Sequence, residues 1–174
     1  LTLLASLFLL SLRVRPAEPA RASRALVVST RISLGLLCAQ IAYGALTAGL
    51  HAGVGYNTFP TMHGAWFPID GLSLAPLWRD FFDNPATVQF FHRALGTLLV
   101  CSLVSTYVVA RRSHADGRLQ RATLTTLAMA AAQFSLGVAT LVLVVPISLA
   151  VVHQLGACVL LLLAVRSHHL ARTA

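Results

Sequence analysis

The chain has 174 residues, of which 57% are hydrophobic and only 10% are charged. Because soluble globular proteins are usually about 25% charged, this composition excludes an ordinary soluble domain and predicts an integral membrane protein. The net charge of +8 comes from arginine alone, and the arginines lie in short segments between apolar stretches, which is typical of orientation signals. No nucleic-acid binding is therefore expected.

The first predicted element is an incomplete helix. Residues 1–12 are apolar but shorter than the ~20 residues that cross a bilayer. We predict the end of a truncated transmembrane helix there, then a basic inner loop at 13–24. Residues 25–165 are predicted to form an antiparallel four-helix transmembrane bundle, and residues 166–174 an inner C-terminal tail, so the fold class is all-α integral membrane. The four predicted spans are 25–50, 86–110, 122–145 and 147–165.

The separators between the spans differ in charge. Residues 13–24 and 111–121 each hold four arginines, whereas the loop 51–85 holds three aspartates and one arginine. By the positive-inside rule, the arginine-rich segments and the C-terminus lie inside, and the 51–85 loop lies outside. The Trp, Phe, Gly and Pro residues of this outer loop predict turns and a short interfacial helix at about 74–83.

Two histidines interrupt the second and fourth spans, at His92 and His153. An ionisable group within hydrocarbon costs ~2.5–3.5 kcal/mol, so each histidine needs a function or a polar partner. Counting from the outer end of each span at ~1.5 Å per residue, both lie roughly 9–10 Å deep on two parallel helices. Bundle cores commonly hold cofactors between facing helices, and two imidazoles can ligate one heme iron. We therefore predict a heme between His92 and His153.

The neighbours of these histidines fit a flat cofactor. Gly96, Gly156 and Ala157 lie one turn further along the same helix faces, where small residues leave room for a macrocycle or let two helices approach closely. A non-heme metal would need three or four ligands, usually with a carboxylate or thiolate, and the spans hold no acidic residue. Arg93 either contacts a heme propionate or extends to the lipid headgroups.

Three motifs resemble one known family: YNTFPTMHG (56–64), FFDNPATVQFFHRALG (81–96) and QFSLGVATLVLVVPISLAVVHQLGA (133–157). They are similar to the C-terminal half of heme A synthases, the CtaA family, over about residues 40–160. The family has eight spans in two similar halves and oxidises the C8 methyl of heme O to the formyl group of heme A. The resemblance implies that His92 and His153 hold a heme b. His63 departs from the family, where Asp or Asn is frequent.

The resemblance also implies partners and a location. The substrate heme O is associated with the N-terminal half, whose glutamate and two histidines this chain lacks. The expected partners are the lipid bilayer, heme O, an electron donor that the sequence does not identify, heme O synthase and a second copy of the chain. The expected location is a bacterial plasma membrane, with the mitochondrial inner membrane as the alternative. The chain alone is expected to bind heme without making heme A, because a bis-histidine heme has no open position for oxygen.

Two other interpretations stay open at this point. A cytochrome-b-like electron-transfer module without its own catalysis would share the histidine pair, although the long aromatic outer loop favours a synthase. In a transporter or a plain helical subunit the histidines would serve only packing. Transporters have helices broken near the midplane, whereas Gly and Pro cluster here in the outer loop and at span ends.

Overall fold

Four long helices make up most of the chain. The computed structural model describes residue 6, residues 8–11 and residues 22–173. Each long helix is long and apolar enough to cross a membrane, and within the described ranges there is no strand, only an isolated bridge between Met62 and Ala65. The predicted all-α bundle is confirmed, and the chain is a multi-pass membrane protein. The helices are α1 (Arg24–Gly49), α2 (Pro85–Arg112), α3 (Gly117–Val142) and α4 (Ile147–Arg172).

The helices pack in a ring. Helices α1 and α3 each pack against both α2 and α4, so that α2 and α4 lie diagonally opposite each other, as do α1 and α3. Because successive helices are antiparallel, α2 and α4 run in the same direction. The loop of residues 50–84 and the turn of residues 143–146 therefore lie at the same end of the bundle, which we call the loop end.

Two helices extend beyond their predicted limits. Helix α3 begins at Gly117 rather than 122, capped by Asp116, whose carboxylate accepts from the Arg118 N–H at 2.7 Å. Helix α4 continues to Arg172 rather than 165. The prediction followed the apolar stretch, but a helix keeps its backbone hydrogen bonds as it runs on into polar surroundings. Much of the basic segment at 111–121 and of the predicted tail at 166–174 is therefore helical.

The beginning of the chain is described only in part. Residue 6 and residues 8–11 are helical, and Phe8 and Leu9 pack against the bundle core. The remainder of the predicted helix end at 1–12, and residues 13–21 of the predicted basic loop, lie outside the described residues.

The bundle is built from two similar helix pairs. The buried face of α1 matches that of α3 at one constant offset, and the buried face of α2 matches that of α4 at another. In α1 and α3 the matched residues are Leu26 and Leu119, Thr30 and Thr123, Ser33 and Thr126, Gln40 and Gln133, Gly44 and Gly137, and Thr47 and Thr140. In α2 and α4 they are His92 and His153, Leu99 and Leu160, Thr106 and Ser167, and Ala110 and Ala171.

Matched residues also make matched hydrogen bonds. Ser33 Oγ lies 3.1 Å from Thr106 Oγ1 between α1 and α2. The equivalent atoms, Thr126 Oγ1 and Ser167 Oγ, lie 2.9 Å apart between α3 and α4. Together with the diagonal placement of α2 and α4, these contacts give the bundle an approximate twofold axis along its length.

A buried carboxylate organises the long loop. Asp80 is fully buried and accepts three hydrogen bonds, from the N–H groups of Ser73 and Leu74, both at 3.0 Å, and from the side-chain amide of Asn84 at 2.7 Å. Asn84 in turn caps α2, because its amide oxygen accepts from the N–H of Ala86 at 2.9 Å. The loop is thereby tied to the first turn of α2.

Other parts of the loop end agree with the sequence. The predicted short helix at about 74–83 is present as a 3₁₀ turn at Leu77–Arg79 and an α turn at Asp80–Asp83. The loop also contacts the short turn: a Cβ on Gly53 would lie 2.8 Å from Val145 Cγ2. A larger residue at this position would force the Val145 side chain or its backbone to shift, because real Cβ atoms are almost never this close to another heavy atom.

We expect Asp80→Ala to destabilise the loop end strongly. The substitution removes the acceptor shared by these three hydrogen bonds, and a hydrogen bond to a charged group contributes ~1.5–3 kcal/mol. Thermal unfolding in detergent and limited proteolysis of residues 50–84 measure the effect. Asp83→Ala is the matched control, since Asp83 forms a half-exposed ion pair with Arg79 that contributes about 0–1 kcal/mol. Equal effects of the two substitutions would contradict this role of Asp80.

Candidate functional site

His92 and His153 occupy equivalent positions near the loop end. His92 lies seven residues after Pro85, where α2 begins, and His153 lies six residues after Ile147, where α4 begins. At ~1.5 Å per residue, both are therefore roughly 9–11 Å from the ends of their helices. Both are partly buried. The structure thus places two imidazoles at one depth on diagonal helices.

A glycine on the neighbouring helix makes room for each imidazole. A Cβ on Gly44 of α1 would lie 3.1 Å from His92 Cε1, and a Cβ on Gly137 of α3 would lie 2.9 Å from His153 Cε1. Real Cβ atoms are almost never found closer than 3.0 Å to another heavy atom. The two glycines are matched residues of the repeat, so both rings have the same kind of neighbour.

A glutamine one turn before each of these glycines contacts the histidine of the same helix pair. Gln40 Nε2 lies 3.4 Å from His92 Nε2, whereas Gln133 Nε2 donates to the backbone carbonyl of His153 at 2.5 Å. Each glutamine also lies over a glycine one turn beyond the histidine. A Cβ on Gly96 would be 3.1 Å from Gln40 Nε2, and a Cβ on Gly156 would overlap Gln133 Oε1.

Several polar atoms at this site have no partner. Among the described residues, the buried side-chain atoms without a hydrogen bond are Nδ1 of His92 and His153, Oε1 of Gln40 and Gln133, and Nε of Arg93. Buried polar atoms in folded proteins are nearly always paired. Unpaired atoms on all five side chains at the same end of the bundle indicate a site that is completed by a bound group.

The chain belongs by sequence to a known family. The family model COX15-CtaA, described as cytochrome oxidase assembly protein, matches residues 1–165. The chain is a COX15-CtaA family member. The resemblance predicted from the three motifs is thereby confirmed. No solved structure matches the chain.

Curated relatives of the chain come from mammals and from bacteria. Heme A synthase COX15 of Mus musculus is 42% identical over 127 residues, which are 73% of this chain and 31% of that protein. Heme A synthase of Azorhizobium caulinodans is 41% identical over 139 residues, 79% of this chain and 39% of that protein. Heme A synthase of Paracoccus denitrificans is 42% identical over 134 residues, 76% and 35% of the two chains. The chain spans about a third of the length of these relatives.

Arg93, next to His92, binds the long loop through backbone carbonyls. Its guanidinium donates to the carbonyls of Tyr56 at 2.7 Å, Thr58 at 2.8 Å and Thr61 at 3.2 Å. Gln89, almost fully buried, also donates to the Tyr56 carbonyl at 3.0 Å. The terminal nitrogens of Arg93 therefore bind the loop, and its Nε is buried and unpaired. Contact of Arg93 with a cofactor stays a prediction.

The loop histidine His63 lies at the surface. The exposed ring of His63 stacks on Tyr56, with the ring centroids 5.0 Å apart. Tyr56 donates its hydroxyl to Asp70 at 2.6 Å, and this hydrogen bond raises the pKa of the Tyr56 phenol to about 12. His63 thus belongs to a loop surface cluster and not to the pair inside the bundle.

The sequence pattern singled out His92 and His153, which the structure places at one depth, but it did not single out Gln40, Gly44 and Gly137 beside them. A signal was present, because the pattern A-Q-x-x-x-G occurs at 39–44 and again at 132–137. Each copy lies in the long helix that immediately precedes a helix with a histidine. A lone Gln or Gly in an apolar span suggests only helix packing. Aligning the first span with the third would have revealed the repeat and with it these residues.

We expect Arg93→Met to loosen the loop segment at 56–63. Hydrogen bonds from a charged donor contribute about 1.5–3 kcal/mol, so amide exchange at Met62 and His63 should be at least about tenfold faster. Hydrogen exchange with mass or NMR detection measures this. Arg79→Met is the control, because Arg79 makes a half-exposed ion pair with Asp83. Unchanged exchange in Arg93→Met would show that the loop is held by other contacts.

Proposed function

We propose that the chain is the heme-b-binding half of a heme A synthase, an oxidoreductase that converts the C8 methyl of heme O to the formyl group of heme A. In this proposal His92 and His153 are the two axial ligands. The observation that carries it is the pair of matched histidines on diagonal helices, each beside a glycine and each with an unpaired Nδ1.

The residues of the site suit such a group. His92 and His153, at one depth on diagonal helices, would hold the heme iron between them, and Gly44 and Gly137 leave space beside their rings. When bound, a bis-histidine heme supplies one-electron transfer and offers no open position for oxygen. His92 and His153 would hold the iron. Arg93, through its unpaired Nε, would face the propionates while its terminal nitrogens keep the loop closed against water.

The rest of the proposal concerns the whole protein. Because the chain spans about a third of its curated relatives, we assign the oxidation of heme O to a part that it does not include. The expected partners remain the lipid bilayer, heme O, an unidentified electron donor, heme O synthase and a second copy of the chain. The proposed divisions are the helix end at 1–12, the inner loop at 13–24, the heme-binding bundle at 25–165 and the inner tail at 166–174.

Charge supports one orientation in the membrane. The loop end holds Asp70, Asp80 and Asp83, whereas Arg111 and Arg112 end α2 at the opposite end. By the positive-inside rule the loop end lies outside and the C-terminus inside. A bacterial plasma membrane is the proposed location, and a mitochondrial inner membrane is the alternative.

An electron-transfer module without its own catalysis is the second candidate. It is supported by the same histidine pair and would differ only in taking no part in heme O oxidation. The activity of the full-length protein, described below, separates it from the first.

The heme proposal is tested by spectroscopy of the purified chain. We expect a low-spin heme b in reduced-minus-oxidised and pyridine hemochrome spectra. His92→Ala and His153→Ala should each abolish this spectrum or turn it high-spin, because one axial ligand is lost. His63→Ala is the control and should leave the spectrum unchanged. A well-folded native sample without heme, or an unaltered spectrum in both alanine variants, would overturn the proposal.

The synthase proposal needs the full-length protein. We expect it to form heme A from heme O, with loss of activity in His92→Ala and His153→Ala, while the present chain alone binds heme and forms none. Heme A formation by the present chain would overturn the assignment of oxidation to the other part. A full-length protein that binds heme here but never converts heme O would favour the electron-transfer module.

We also expect Gly44→Ala and Gly137→Ala to weaken heme binding. The added methyl group would lie within about 3 Å of each imidazole, and overpacking of this kind costs ~1–3 kcal/mol. Hemin titration and the low-spin fraction measure the loss. Gly35→Ala is the matched control in α1, because a Cβ at Gly35 meets nothing within 4 Å. Equal hemin binding in all three variants would remove the packing role of the two glycines.

A further inference from the structure

The two histidines differ in what contacts their rings. Gln40 and Gln133 are matched residues, yet the Gln40 amide lies 3.4 Å from the His92 ring, whereas the Gln133 amide donates to the His153 backbone carbonyl. One glutamine thus touches a ring and the other touches a helix backbone. The approximate symmetry of the bundle is broken at the atoms closest to the histidines.

A histidine that binds a metal needs a hydrogen-bond acceptor beside its ring. One ring nitrogen gives its lone pair to the metal, and the other carries a proton that needs an acceptor; that acceptor fixes the ring and makes the ligand more electron-donating. Gln40 Oε1 is an acceptor that is buried and has no partner. Because a half-turn of the amide exchanges its oxygen and nitrogen, the side chain that contacts the ring can present that oxygen to it.

Packing alone does not account for a glutamine here. Gln40 lies in the membrane-spanning part of α1, where an unpaired amide is costly, and an apolar side chain of similar length would cover Gly96 equally well. Its oxygen and His92 Nδ1 are both without partners. The ring nitrogen that contacts Gln40 is Nε2. If His92 Nδ1 binds the metal, Nε2 carries the proton and can donate it to the Gln40 oxygen, which then has a partner.

We propose that Gln40 is a positioning residue for His92, whose amide oxygen accepts the ring N–H and sets the reduction potential of the heme, while Gln133 fixes the backbone of α4 at His153 and has no such effect. The inference rests on the proposed bis-histidine heme. It makes the two axial ligands chemically unequal although they come from matched positions. The ligand on α2 is the more electron-donating of the two.

The test compares Gln40→Glu, Gln40→Met and Gln133→Met in the purified chain loaded with hemin. Hemin is kept in excess, because loss of such a supporting hydrogen bond weakens metal-site affinity by ~10–100-fold. Heme content, the low-spin spectrum and the EPR g values are recorded first. The midpoint potential is then measured by redox titration for each variant that binds a low-spin heme.

We expect the Gln40 variants to shift the potential in opposite directions. Glutamate is a stronger acceptor and should lower the potential by stabilising ferric heme, whereas methionine accepts no such bond and should raise it. Gln133→Met should bind less heme or unfold at a lower temperature, with the potential unchanged. A structural disturbance alone would move both Gln40 variants the same way.

Each other outcome has a definite meaning. If the native chain binds no low-spin heme, the proposed function fails and this inference fails with it. If the native chain binds heme but the Gln40 variants shift the potential in the same direction or not at all, only the inference is overturned. Loss of heme from both folded Gln40 variants would likewise overturn it, since a positioning residue should leave ligation intact. An equal shift in Gln133→Met would remove the difference between the two ligands.

Discussion

The close approach of each histidine ring to a glycine on the neighbouring helix sets the geometry of the bundle. Gly44 and Gly137 bring α1 against α2 and α3 against α4 at the depth of His92 and His153. The same helix pairs are joined at the opposite end by matched hydroxyl contacts, between Ser33 and Thr106 and between Thr126 and Ser167. Within a membrane, where apolar burial gives helices little reason to associate, small residues at one end and paired hydroxyls at the other define each helix pair.

The long loop adds what the symmetric bundle lacks. Asp80 and Asn84 hold the loop to the beginning of α2, and Arg93 holds its other part to the same helix about two turns deeper. The long loop therefore covers the end of the bundle next to His92. On the His153 side, only the short turn of residues 143–146 precedes α4.

Much of this arrangement could be predicted from the sequence, and the reasons for the misses are physical. Apolar length and the charge of the separators gave the four helices, and counting residues from the helix ends placed His92 and His153 at one depth. The ends of α3 and α4 were missed because a helix continues where hydropathy falls. The partners of Arg93 were missed because carbonyls more than thirty residues away leave no trace in a local pattern. Gln40 was missed because one polar residue in an apolar span is uninformative until its counterpart is aligned with it.

The contact between Gly53 and Val145 links the two connections at the loop end. Gly53 belongs to the long loop whose carbonyls bind Arg93, next to His92, and Val145 belongs to the turn that leads into α4 and His153. The segment bound by Arg93 and the segment that leads into α4 therefore meet at this contact. The two connections form one joined cap on the end of the bundle, with a histidine one helix segment below each side of it.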